Sequence, residues 1–280
     1  MTAPVLADVL GPRARRRVLV LSVVAGVAVA VVLGLAVKRL ADRDQLAEQL
    51  WRPLTDDAVL RFLWGGLANT LRAALVAMAL ALVAGAFLAL GRLSRTGPVR
   101  WLTGAWVEFF RAVPLLLLIL FSGLGLPKYG VDLDVFWYLV LALVAYNSAV
   151  LAEIFRAGIL SLDRGQFEAS YAVGLSYWET MLSVIVPQAV RRMVPAVVSQ
   201  LVTLLKDTSL GYVITYEELL RRGRITGEFY RNPLQALVLV AVVYVVVNFV
   251  LSVTARRLED RQRRRYRAGE IRVAGVEELA

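Results

Sequence analysis

Apolar residues in this 280-residue chain gather into long, nearly uninterrupted blocks, the pattern of helices whose surroundings are lipid rather than water. Val18 to Val37 is an uncharged run of 20 residues, about 30 Å as a helix, which matches the hydrocarbon core of a bilayer. A signal peptide would also place basic residues before an apolar run, but its run is shorter and leads to a small-residue cleavage site. The segment is therefore read as a retained anchor. Further blocks occupy Trp64 to Leu90, Trp101 to Leu124, Val135 to Leu160 and Leu234 to Val253. Met193 to Ile214 is long enough to span but carries Lys206 and Asp207, so it is expected to face protein or a polar cavity. Six transmembrane helices and an all-α, polytopic membrane protein are expected.

Between the blocks, charge sets orientation. Arg13, Arg15, Arg16 and Arg17 precede the first run, and seven arginines crowd Arg256 to Arg267 after the last. Six crossings put both clusters on one side, which the excess of basic residues marks as the cytoplasm. Arg92, Arg95 and Arg100 then fall in a cytoplasmic loop, as does Ser161 to Val190. Lys38 to Arg61 mixes five basic with five acidic residues and reads as an outer connector. The loop Gly211 to Arg231 fits less well, because it should lie outside yet holds Arg221, Arg222, Arg224 and Arg231.

Composition narrows the chemistry. Hydrophobic residues make up 59% of the chain, and cysteine and histidine are both absent. That removes disulfides, Ser-His and Cys-His nucleophiles, and cysteine- or histidine-bound metal. The formal charge of +10 is explained by the basic flanks of spans rather than by a nucleic-acid surface. A phosphate-cradling loop needs Gly before its Lys, and the three lysines, Lys38, Lys128 and Lys206, follow Val37, Pro127 and Leu205. The chain is not expected to be an enzyme, to carry catalytic residues or to hold a metal. If ATP drives it, a partner binds the nucleotide.

The stretch Ser161 to Pro187 breaks, restarts and breaks again. Asp163 can cap a short helix running past Glu168, Gly174 can end it in a left-handed conformation, and Pro187 can open the next helix. A short helix held between two spans is a rigid knob suited to docking, and an ordinary capped loop helix is the plainer alternative.

Glu168-Ala169-Ser170, Gly174 and Val184-Ile185-Val186-Pro187 resemble, at the same spacing, the Glu-Ala-Ala, Gly, Ile-x-Leu-Pro signature of the membrane subunits of binding-protein-dependent ABC importers. Ser170 replaces the second Ala, and valines replace Ile and Leu. The likeness extends to the polar amino acid branch through Gly66 to Leu71, Glu108 to Leu115, Ala145 to Gly158, Gly165-Gln166, Pro187 to Ala189 and Lys206 to Leu210. The overall composition is similar to actinobacterial glutamate permeases. The resemblance implies a type I importer transmembrane fold with five core helices, at residues 61–256. An additional amino-terminal span lies within 1–60, and a basic cytoplasmic tail covers 257–280. It implies a permease of the plasma membrane that imports polar amino acids and binds no cofactor. Its implied partners are a pair of ATPase subunits, a second permease copy or paralogue, and an extracytoplasmic binding protein. Asp163, Gly165, Glu168, Ala169, Gly174 and Pro187 would form the ATPase-coupling loop.

Polar residues inside the spans are the candidates for the solute path. Glu108 with Arg111, and Glu153 with Arg156, stand three apart on predicted helices, so each pair shares a face, where it either lines the path or braces the bundle. Asn147 and Ser148 fall near mid-span and need hydrogen-bond partners, from a solute or another helix. Lys206 and Asp207, followed by Thr208 and Ser209, offer opposite charges to a zwitterion or neutralise each other. An ion-coupled secondary transporter and a non-transporting scaffold remain as alternatives. Neither the amino acid carried nor a choice between permease homodimer and heterodimer follows from these residues.

Overall fold

The computed structural model describes residues 11–277, with the backbone alone at positions 12, 255, 256 and 258–277. Positions 1–10 of the amino-terminal segment and 278–280 of the basic tail lie outside the described residues, and the side chains of Arg256 and of Arg261 to Arg267 are not described. The described residues form helices and turns without a strand. Nine helices carry the argument: α1 (Pro12–Ala41), α2 (Asp57–Leu93), α3 (Gly97–Ala112), α4 (Leu115–Leu120), α5 (Val135–Leu160), α6 (Arg164–Ala172), α7 (Val186–Asp207), α8 (Leu219–Phe229) and α9 (Pro233–Glu277). Five helical stretches are long and apolar enough to cross a membrane, and the bent pair containing α3 and α4 brings the number to six if it counts as one span.

The two longest central helices begin at acidic caps. The Asp56 carboxylate accepts a hydrogen bond from the Ala58 N–H and the Asp134 carboxylate one from the Phe136 N–H, each at 2.8 Å. These caps satisfy donors that lipid could not. From its cap α2 presents Ala73, Ala77, Ala81, Gly85 and Ala89, all buried, at intervals of four residues. Leu139, Leu143 and Leu151 of α5 are fully buried in the same core. A Cβ at Gly85 would lie 2.9 Å from Leu151 Cβ and 3.0 Å from the Ser148 carbonyl oxygen. The helices therefore meet nearly backbone to backbone, the close approach that holds helices together where no hydrophobic effect can.

Three expectations change. Trp101 to Leu124 is not a straight span, because α3 and the segment Leu115–Tyr129 meet at 98°. Pro114 is the cause: it drives Val113 into an extended conformation (φ −77°, ψ 128°) and cannot continue the hydrogen-bond ladder of α3. The span expected to begin at Met193 begins earlier, at Tyr177, and runs to Ile214.

The loop from Gly211 to Arg231 contains a helix, α8, whose Leu219 joins a cluster with Leu63 and Leu67 of α2 and Ala236 and Val240 of α9. Two of its arginines make contacts within the protein. Arg222 donates to the Phe62 carbonyl at 2.9 Å, pairs with Glu217 at 3.1 Å and lies over the Phe62 ring, and Arg224 lies over Tyr212. That use explains why they disturb the charge count along the chain.

The amino-terminal part divides. None of the apolar window of α1 is buried in the rest of the structure, as suits a helix whose surroundings are lipid. The connector behind it docks: Asn232 donates to the Leu50 carbonyl at 2.6 Å and Gln235 to the Gln45 carbonyl at 2.7 Å, while Leu54 is buried in the α2–α8–α9 cluster.

Gly85→Val tests the central contact. Its branched side chain has no room beside Leu151, so the variant is expected to lose about 1–3 kcal/mol or more by overpacking. The check is a thermal melt in detergent, in which Gly104→Ala, at a position with open space around the added carbon, stays near wild type.

Candidate functional site

The segment α6 is built as its residues suggested. Asp163 accepts a hydrogen bond from the Gly165 N–H at 2.8 Å and caps the helix. At the other end Gly174 has φ +85°, its N–H donates to the Tyr171 carbonyl at 3.0 Å, and the Leu175 N–H reaches back to Ser170 at 3.1 Å. This is the left-handed helix stop for which glycine carries no side-chain penalty. Glu168 and Ala169 are exposed, while Phe167 packs into a cluster with Leu162, Met181 and Ile185.

Two polar contacts fasten α6 and its entry to α7, whose first turn holds Pro187: Gln188 donates to Gln166 at 2.9 Å, and Arg192 to the Ser161 carbonyl at 2.6 Å. Beyond Gly174, Ser176 and Glu179 close a capping box around the turn Tyr177–Thr180, and Val173 and Trp178 stand 77% and 66% exposed. The box was legible in the Ser-x-x-Glu spacing and enlarges the exposed knob.

Next to this end of the bundle an ion network joins three helices. Both spaced pairs form: Glu153 takes hydrogen bonds from Arg156, at 3.0 Å from Nε and 2.5 Å from Nη2, and Arg111 lies 3.8 Å from Glu108. Between them stands Arg92 of α2, whose Nη1 is 2.9 Å from Glu153 and 3.2 Å from Glu108. No periodic spacing announces Arg92, because its partners are 16 and 61 residues away in the chain.

At mid-span, Asn147 is fully buried and partnered. Its Nδ2 donates to the Leu143 carbonyl at 2.8 Å and its Oδ1 accepts from Gln200 of α7 at 2.7 Å, while Ser148 turns to the Ala145 carbonyl at 3.2 Å. Gln200 had no mark of its own in the sequence pattern.

Lys206, Asp207, Thr208 and Ser209 lie where α7 tightens into a 3-10 helix, Thr208–Ile214. The structure separates them. Lys206 and Ser209 line a cavity of about 350 Å³ with Tyr244, Val245 and Asn248 of α9. Thr208 is buried and donates to the Leu205 carbonyl at 2.7 Å, and Asp207 is half-buried. Neither Lys206 nor Asp207 forms an ion pair among the described residues. Asn248 donates to the Tyr244 carbonyl at 2.7 Å, but its buried Oδ1 has no partner.

The cavity thus combines a cation, a hydroxyl and an orphaned acceptor, which suits a small solute carrying both an anionic and a hydrogen-donating group. Its wall is braced by Glu218, fully buried, which accepts from the Leu220 and Arg221 N–H groups at 2.7 Å each and from the Tyr244 hydroxyl at 2.8 Å. Tyr244 and Asn248 sit in a block read only as apolar, and Glu218 in a stretch read as loop. Among the described residues no group of His, Cys, Asp or Glu could hold a metal ion.

Residues 81–264 match the family described as binding-protein-dependent transport system inner membrane component. The chain is 40% identical over 243 residues to the glutamate transport system permease protein GluD of Corynebacterium glutamicum, a match covering 85% of this chain and 89% of that one. It is 41% identical over 208 residues to the probable glutamine ABC transporter permease protein GlnP of Bacillus subtilis, covering 72% and 94%. A crystal structure of an amino acid ABC transporter with histidines is similar at 30% identity and a TM-score of 0.69, over 72% of this chain and 94% of that one.

The ion network makes a graded prediction. Arg92 is 18% exposed and bridges two carboxylates, whereas Arg111 is 41% exposed and reaches one at 3.8 Å. Arg92→Met should therefore cost about 1.5–3 kcal/mol and Arg111→Met less than about 1 kcal/mol. Melting temperatures of the two purified variants, compared side by side, check the order.

Proposed function

Because this chain belongs to the family of inner membrane components of binding-protein-dependent transport systems and has the type I ABC importer transmembrane fold, we propose that it is the permease subunit of an importer for polar amino acids, with an acidic one or its amide as cargo. Support for the cargo comes from the named activities of the glutamate and glutamine relatives, and from the Lys206 cavity, whose ammonium is available to a carboxylate. The chain itself binds no cofactor in this reading. A pair of partner ATPase subunits hydrolyses ATP, a second permease completes the pathway, and an extracytoplasmic binding protein delivers the amino acid.

One observation carries the reading: α6 is a capped, outward-facing helix fixed to the base of α7 and exposed where a partner would dock. Asp163, Gly165, Glu168, Ala169, Gly174 and Pro187 belong to that coupling element. Asn147 and the Glu153–Arg156 pair brace the pathway from inside the bundle, and Lys206, with Ser209, faces the solute. The side bearing α6 is assigned to the cytoplasm. Arg95 and Arg100 stand at that end of the bundle, and an even number of crossings brings both chain termini there.

Gly174 supplies the test. A side chain there meets open space, so only the backbone angle is at stake. Gly174→Val should cost on the order of 1 kcal/mol or more at the helix stop, reducing ATPase co-purification and solute-stimulated ATP hydrolysis while membrane insertion persists. Gly174→Asn, a residue that tolerates the left-handed region, should retain most of both. Equal behaviour of the two variants would remove the coupling assignment.

Lys206→Met separates cargo from coupling. Assembly and basal ATP hydrolysis should stay at wild-type level while uptake of the amino acid falls by about tenfold or more, the worth of one charge-assisted hydrogen bond. Unchanged uptake would take Lys206 out of the solute path.

A further inference from the structure

Three strips run along α3. Val107 and Phe110 turn into a cluster with Ala89, Ala149 and Ala152, packing α3 onto α2 and α5. Leu102, Trp106 and Phe109, which stand 60%, 49% and 59% exposed, form a second strip. Arg100, Glu108 and Arg111, also exposed, form a third. At 100° per residue the apolar and charged strips lie on nearly opposite sides of the helix.

The setting of α3 gives those strips direction. The 98° bend at its end turns it away from the axis of Leu115–Tyr129, so with that segment crossing the bilayer α3 lies close to the membrane plane. Its depth is set by α2: Thr103 faces Gly91 and Glu108 pairs with Arg92, both in the last turn before α2 ends at Leu93. That is the level of the headgroups.

A helix lying in the interface buries its apolar strip among acyl chains and holds its cations among phosphates, and tryptophan favours the same boundary. Helix-to-helix contacts within membranes favour small residues that let backbones approach, whereas this strip presents two large rings and a leucine. The guanidinium of Arg100 forms no ion pair among the described residues.

We propose that α3 is an interfacial anchor, with Leu102, Trp106 and Phe109 in the acyl region of the leaflet on the α6 side and Arg100 held by the phosphate of an anionic phospholipid. The inference takes its membrane setting from the permease reading, but its test measures depth and lipid dependence rather than transport, so the two fail separately.

The chain has no cysteine, so single-cysteine variants L102C, F109C and R100C each carry one nitroxide label. The full-length protein with its co-purifying subunits is placed in phosphatidylcholine nanodiscs containing increasing phosphatidylglycerol. Labels at 102 and 109 should be relaxed more by oxygen than by a water-soluble nickel chelate, and the label at 100 the reverse. Immobilisation of the label at 102 should rise with phosphatidylglycerol, and adding R100Q should move its half-point about fivefold higher, the worth of one basic side chain at an anionic surface. Three results would overturn the proposal: labels at 102 and 109 shielded from both reagents with L102C cross-linking between copies, which would mark a permease–permease interface; exposure of both labels to the nickel chelate; or an unmoved half-point in R100Q.

Discussion

Everything in this bundle depends on how closely α2 and α5 approach. Lipid is as apolar as the side chains it surrounds, so association must come from packing and from hydrogen bonds. Replacing large residues by Ala73, Ala77, Ala81, Gly85 and Ala89 along one line of α2 brings Leu143 and Leu151 of α5 against its backbone. Once that pair is set, Arg92 falls within reach of Glu153, and α3 has a seat across both helices through Val107. Along the same helix, Gly158 meets Met193, which lets α7 lie close, and Asn147 reaches Gln200.

A membrane interior also requires that polar groups be satisfied inside the protein. Most of the buried ones here are. Glu218 takes three hydrogen bonds, and Ser122 donates to the Tyr138 and Ile119 carbonyls. Among the described residues the buried polar atoms without a partner include Asn232 Oδ1, Gln235 Oε1 and Asn248 Oδ1, and only Asn248 of these three lines the cavity beside α9, together with Lys206.

What could be read from the chain follows the range of the interaction. Spans were legible because a bilayer-long apolar block needs no tertiary information. So were the cap at Asp163 and the stop at Gly174, which act within a few residues. The bend at Pro114 was equally local, and was hidden by apolar residues on both sides that made one block of two helices. Arg92, Gln200, Tyr244 and Asn248 were out of reach, since each acquires its role from a partner on another helix or from the cavity between helices. The helix α8 was obscured for a related reason. Its Arg222 counted as loop charge, although it is spent on bonds to Phe62 and Glu217 within the protein.

Distance between the exposed helix α6 and the cavity is bridged by a single element. The base of α7 is tied to α6 through Gln188 and Gln166 and through the cluster around Phe167, and its far end carries Lys206. Between them lies Pro195, which cannot donate to the carbonyl one turn earlier and so leaves a softer point inside the helix. Asn147 grips Gln200 on the cavity side of that point, while before it Met193 meets Gly158 of α5 and Gln188 holds α6. Bending at Pro195 would change the angle between these two parts of α7. In the proposed permease, a small movement of a docked partner would in this way alter the position of a lysine more than ten residues further along the same helix.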